Sequence, residues 1–196
     1  MQSQGNIRVV EMLRYLYQHT DENHTATVTD ITAYLKERGI QAVRQTVYAD
    51  LNALITAGFD IVIVKSTQNQ YFMGNRLFEY PELKMLADAV ASSKIISAKK
   101  SEALVQKLGC LTSIHQAEQL KGLASLSSRV KPGNEKVYYI IDSIHSAILE
   151  HRQIEFQYYE YTQTKEKILK HDGYRYLLNP YALEWKNDHY YLIGYS

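Results

Sequence analysis

Arg44, Gln45, Thr46 and Tyr48 set a guanidinium, a carboxamide, a hydroxyl and a phenol within five consecutive positions. Arginine can meet guanine O6 and N7 with two parallel N–H donors, and glutamine can pair with adenine in the same two-point manner. Hydroxyl and phenol groups donate to phosphate oxygens, which fixes register on a duplex without reading its sequence. Lys65 opens a polar run, Lys65-Ser66-Thr67-Gln68-Asn69-Gln70, that can lie along a phosphate backbone. These residue types suit duplex recognition if they leave one end of a helix beside a loop. A solvated polar face, and a plain hairpin turn, are the competing readings.

The surrounding pattern supplies such a scaffold. Ile7, Val10, Leu13 and Tyr17 recur at helical intervals and predict a first helix over Ile7 to His19. After the polar loop Asp21 to His24, a second helix runs from Thr27 to Arg38, with apolar groups at Ile31, Tyr34 and Leu35. Thr27 and Asp30 form a capping box, and Gly39 stands where the helix stops. A third helix extends to Ala57 with Val43, Val47, Leu51 and Leu54 on one face and Gly58 closing it. Asp50 lies on the side of Val43 and Leu54, which predicts a structural role as an ion-pair partner. Ile61 to Val64 and Tyr71 to Met73 read as a hairpin. Two helices separated by a tight break and followed at once by a hairpin have the layout of a winged helix-turn-helix.

Further along, Pro81 suits the first turn of a helix whose buried stripe is Leu83, Leu86 and Val90. Helical segments follow over Ser101 to Leu108 and from the cap Ser113 to about Leu126. Lys131-Pro132-Gly133-Asn134 is the strongest punctuation and marks a boundary. Val137, Ile140, Ile141, Ile144 and Ile148 then define a helical face. The period changes at Ile154, Phe156 and Tyr158, which alternate with polar neighbours as a strand does. A charged loop from Thr162 to Gly173 precedes strands over Tyr174 to Leu178, Tyr181 to Trp185 and Tyr190 to Tyr195, with Asn187-Asp188 as a tight turn. Eleven of the seventeen tyrosines fall in residues 138–196. Tyrosine favours half-buried strands and keeps a polar tip at the surface.

Composition narrows the function classes. The 196 residues carry a net charge of +1, and no apolar run or charged leader predicts a membrane span or an export signal. One cysteine, Cys110, leaves no intrachain disulfide or cysteine-based zinc site, which fits a reducing cytoplasm. The seven histidines lack metal-ligand spacing. Gly-rich phosphate loops, a Gly-x-Ser-x-Gly elbow and His-Glu-x-x-His are all missing from the sequence, so neither catalysis nor a cofactor is expected. Charge is uneven: residues 1–74 hold 6 Lys and Arg against 7 Asp and Glu, residues 75–131 hold 9 against 5, and residues 132–196 hold 7 against 9. A DNA-binding segment with net charge −1 must rely on local clusters such as Lys36, Arg38, Arg44 and Lys65, doubled by dimerisation.

Two stretches together resemble the bacterial WYL-domain transcription regulators. Arg44-Gln45-Thr46-Val47-Tyr48-Ala49-Asp50-Leu51, with Leu54 and Ala57-Gly58, is similar to their N-terminal winged helix. Leu178-Asn179-Pro180-Tyr181-Ala182-Leu183-Glu184-Trp185 followed by Tyr190-Tyr191-Leu192-Ile193-Gly194-Tyr195 is similar to the domain that names them. Tyr190 replaces the leading Trp of the signature, and Val43 stands where such helices often carry a Ser cap. Ser196 comes just past the signature strand, whereas the family continues its small Sm-like barrel, so an unpaired edge needing cover is expected. The resemblance implies an effector site for a nucleotide-like or nucleic-acid ligand. Tyr158, Tyr181, Trp185 and Tyr191 are its candidate stacking surfaces, and Arg175 its phosphate partner. Aromatics alternating along strands serve equally well as core.

The expectation is thus an α+β protein with a winged helix-turn-helix over residues 1–76, a helical linker and dimerisation region over 77–133, and part of a WYL domain over 134–196. It is expected to act as a dimeric, ligand-sensing regulator of transcription on double-stranded DNA. The first alternative is an RNA or single-strand binder working through the aromatic barrel. The second is a module whose winged helix docks protein.

Overall fold

The computed structural model describes residues 2–125, 131, 136–164 and 166–196. The expected break at Pro132, Gly133 and Asn134 and the expected helix end at Leu126 lie outside the described residues. Helices and small antiparallel sheets together make an α+β chain. The described residues of 1–92 and 101–128 group into one compact unit, and those of 93–100 and 129–196 into a second.

In the first unit, α1 (Gln2–His19) begins earlier than its apolar spacing suggested. Its buried stripe runs through Met12 and Leu16, flanked by Val9 and Leu13, while Ile7 and Val10 are exposed. β1 (Ala26–Thr27) was invisible in the sequence because two residues cannot show an alternation. Thr27 then caps α2 (Val28–Glu37): its hydroxyl accepts from the Asp30 amide at 3.3 Å, and the Asp30 carboxylate accepts from the Thr27 amide at 2.8 Å. Such a box satisfies two N–H groups that a helix start leaves without intrahelical partners. Gly39 follows the end of α2 at φ +74°, a conformation that side chains with a Cβ resist.

α3 (Arg44–Thr56) buries Val47, Leu51 and Leu54. Val43, expected on that face, is instead the N-cap in an extended conformation and is 68% exposed. A residue that leaves the helical spiral no longer obeys its periodicity. Asp50 does form an ion pair, with Arg8 of α1, across |i−j| = 42. β2 (Ile61–Val64) and β3 (Gln70–Met73) complete a three-stranded antiparallel sheet ordered β1-β3-β2. Met12, Leu16, Ile31, Leu35, Val47, Leu51 and Tyr71 share one hydrophobic core.

A second cluster, Leu83, Ala87, Val105 and Leu120, joins α4 (Tyr80–Ser92), α5 (Ala98–Gly109) and α6 (Ile114–Ser125). Along α4 the buried stripe is Leu83, Ala87 and Ala91; of the expected stripe Leu83 is buried and Val90 packs half-buried against the cluster, but Leu86 is 41% exposed. Small residues four apart let the helix approach its neighbour closely, so volume here outranks hydropathy. Ser113 caps α6, its hydroxyl accepting from the Gln116 amide at 3.2 Å. The same hydroxyl donates to Asp21, which is 1% exposed and also accepts from the His24 ring and the Asn23 and His24 amides. The Tyr17 hydroxyl donates to the Leu111 carbonyl at 3.1 Å, and the His24 and His115 rings stack at 3.7 Å. Polar contacts therefore tie α1 and its following loop to the α5–α6 turn.

The second unit holds α7 (Val137–Leu149), β4 (Ile154–Phe156), β5 (Tyr159–Tyr161), β6 (Lys167–Leu169), β7 (Tyr176–Lys186) and β8 (His189–Tyr195). Its sheets are β4-β7-β8 and β5-β6, both antiparallel. The β5–β6 hairpin occupies part of the expected charged loop; alternating Tyr159, Glu160, Tyr161 pair with Leu169, Ile168, Lys167 despite their charge. Pro180, expected to divide two strands, lies inside the single strand β7. A register shift between Pro180 and Ala182 accommodates it, as a bulge permits where a ladder donor is missing. Asn187 and Asp188 turn the chain into β8 with φ of 51° and 61°, the left-handed pair a two-residue hairpin needs. Opposite the bulge, a Cβ on Gly194 would come within 2.5 Å of the Asn179 carbonyl oxygen. Among the described residues these strands leave open sheets, so the expected Sm-like barrel is not closed.

Candidate nucleic-acid interface

With Val47, Leu51 and Leu54 turned into the core, the N-terminal turn of α3 presents Arg44, Gln45 and Tyr48 to solvent; Tyr48 is 44% exposed and Thr46 is half-buried. The missing side-chain cap at Val43 leaves the first amides of α3 served only by backbone: Thr46 and Val47 donate to the Val43 carbonyl at 3.0 and 3.2 Å. Arg44 is not free to sweep. One guanidinium N–H donates to the Thr29 hydroxyl at 3.0 Å, which ties the start of α3 to the start of α2.

The hairpin completes a cleft of about 280 Å³ lined by Thr27, Val28, Thr29, Arg44, Tyr48, Thr67, Gln68 and Asn69. Two helix starts and a hairpin tip thus converge on one polar recess. The Ser66 hydroxyl donates to the Gln68 carbonyl at 2.6 Å and closes the hairpin turn. Beneath it Tyr71 is buried, which raises its phenol pKa above the ordinary value, and Asn69 and Tyr48 lie close enough to perturb it. Lys65 is exposed on the hairpin but does not line the cleft. Thr29 went unremarked in the sequence because a threonine in a first helical turn carries no distinguishing signal; its use appears only when α3 is laid beside α2.

The five aromatic and basic candidates of the second unit stand in different settings. Tyr158 is half-exposed and meets Phe156 and Tyr176 edge-on at 5.3 and 5.1 Å. It lines a mostly apolar groove of about 710 Å³ between α7 and the strands, with Tyr139, Ile140, Ile144, Phe156 and Leu192. Arg175 is paired with Glu155 at 3.1 Å. Tyr181, 64% exposed, sits at the bulge of β7. Trp185 packs edge-on against Tyr190 at 4.8 Å, its partner across the β7–β8 ladder. Tyr191 pairs with Glu184, one step along, and so points to the opposite face from Trp185. The structure does not gather the five into one pocket; the groove beside α7 drew no attention in the sequence because its walls come from separated elements.

Among the described residues no group of three or more His, Cys, Asp and Glu side chains could hold a metal ion, and no helix is long and apolar enough to cross a membrane. Residues 139–196 match the family model of the WYL domain. The matched stretch begins within α7 and runs through β8. No curated protein matches the chain.

Proposed function

We propose that this chain is a sequence-specific, double-stranded-DNA-binding regulator of transcription, with residues 1–76 acting as a winged helix-turn-helix and the WYL domain sensing a ligand. WYL domains occur in transcription regulators that bind DNA or ligands. The observation that carries the reading is the polar, solvent-facing start of α3 beside the β2–β3 hairpin, on a helix whose other face is sealed in the core. α3 would enter the major groove, Arg44 and Gln45 meeting base edges while Thr46, Tyr48 and Lys65 contact phosphates. Two copies would read half-sites about one helical turn apart. A ligand shifting their relative placement needs only about 1–3 kcal/mol of coupling to act as a switch. The reading assigns no catalytic step and places the protein in the cytoplasm.

Selection of bound sites from a pool of random duplexes tests it. A recurrent motif with paired half-sites is expected, and Arg44→Ala should weaken binding to the selected site by about 1–3 kcal/mol. Binding should also fall steeply with salt, because phosphate contacts release counterions. The exposure of Tyr158, Tyr181, Trp185 and Tyr191 favours a second reading, binding of RNA or single strands by stacking. That reading gains if single strands outcompete the duplex and Arg44→Ala is silent. A flat salt dependence would instead favour a protein partner.

A further inference from the structure

Helix geometry divides the exposed part of α3 into two faces. At about 3.6 residues per turn, Val47, Leu51 and Leu54 fall within about 60° of one another and turn into the core. Arg44 and Tyr48 lie beside that face, toward the hairpin, and line the recess with Thr67, Gln68 and Asn69. The face nearly opposite the core is a different one: Gln45, Ala49, Asn52 and Thr56, all exposed. It carries no charge. The one acidic group of α3, Asp50, is turned onto Arg8 of α1. The Thr56 hydroxyl donates back to the Asn52 carbonyl at 2.8 Å, and Ala49 offers only a methyl group. Two carboxamides, Gln45 and Asn52, are left as the long polar groups of this face. Among the described residues neither side chain makes a hydrogen bond.

We propose that Gln45 and Asn52 each read an adenine, so that the DNA half-site carries two A·T pairs about three base pairs apart. This rests on α3 being the helix that enters the major groove, and it adds which positions read there and what they read. A carboxamide sets one donor and one acceptor side by side, which adenine N7 and N6 match; guanine O6 and N7, both acceptors, leave the carboxamide oxygen without a donor. Seven residues at about 1.5 Å each separate the two groups by about 10.5 Å along the helix. Base pairs stack at about 3.4 Å, so the separation spans about three steps where the helix follows the groove. Ala49 lies between the two carboxamides, and its small side chain lets the backbone approach the base edges. A long side chain there would hold both carboxamides off. Because the face is uncharged, its partners are base edges rather than phosphates, and Arg44 on the flanking face supplies a separate contact.

Sites selected by the full chain from random duplexes, followed by competition with single-base variants of the selected site, test this. The motif should contain two adenines about three positions apart. Replacing either A·T pair should weaken wild-type binding about 5- to 150-fold. Asn52→Ala should abolish the preference at one of the two pairs and Gln45→Ala at the other, each leaving the remaining preferences in place. Both positions are exposed and alanine is the strongest helix former, so circular dichroism should keep the wild-type helix signal. If a motif emerges but either variant weakens every sequence alike, or leaves every preference unchanged, the assignment is overturned while Arg44 can still be tested as a base reader. A motif without the paired adenines overturns it too. If no duplex is bound at all, DNA recognition by α3 fails and this assignment fails with it.

Discussion

At the scale of single residues, the Thr29–Arg44 hydrogen bond fixes the guanidinium at the start of α3, and under the proposed function it would order a base-reading group before DNA arrives. Thr29→Val keeps the branched shape and removes the hydroxyl. It should relax discrimination at the base pair that Arg44 meets, leaving the salt slope of binding near the wild-type value, as measured by competition with single-base variants of the selected site. Ordering the guanidinium beforehand reduces the entropy lost on binding. A second expectation concerns Asp21. Burial pushes its carboxyl up, but hydrogen bonds from Ser113, from the His24 ring and from the Asn23 amide together hold it below the ordinary value of 3.8. A carboxyl lowered in the folded state contributes stability above its ordinary range and loses it as pH falls through the folded value. Ser113→Ala should therefore cost about 1–3 kcal/mol at pH 7 in denaturant unfolding, with the deficit shrinking below about pH 3.8 as the carboxyl takes up its proton.

Among the elements, α2 and α3 differ in how they begin. The Thr27–Asp30 box closes the start of α2, while Val43 offers the start of α3 no acceptor. Thr27→Ala should destabilise the protein by about 1 kcal/mol, and Val43→Ser should stabilise it by a similar amount, both readable as opposite shifts in melting temperature. Val43 already has the extended conformation of a capping residue and is exposed, so the serine would enter without strain. The box, the stop at Gly39 and the α2–α3–hairpin order were legible because each depends on neighbours in sequence. Asp50 was legible as an ion-pair partner, although the identity of Arg8 was not. What escaped was set by packing between distant segments. α4 buries Ala87 and Ala91 instead of larger neighbours, β1 exists because β3 has a free side, and β7 continues through Pro180 because a bulge absorbs it. The aromatic candidates were found as residue types, but strand pairing decided their faces and sent Trp185 and Tyr191 opposite ways.

For the molecule as a whole, the two units differ in how well they fill themselves. The first has a continuous core beneath the candidate interface, whereas the second leaves most of its tyrosines and isoleucines partly exposed. Denaturant titration followed by fluorescence of Trp185, the chain's one tryptophan, should report a midpoint that rises with protein concentration if the proposed dimer forms through this unit. The far-ultraviolet helix signal, dominated by the first unit, should move much less. A concentration-independent tryptophan midpoint would mean that this unit is stable unaided. Within that unit, the close approach at Gly194 has its own consequence for how the chain zips. If β8 slid by one residue, Ile193 or Tyr195 would have to bring a full side chain up against the Asn179 carbonyl oxygen, where even one carbon does not fit. The glycine works as an index notch. The hairpin can lock at one setting only, and a randomised codon at this position should return a single amino acid.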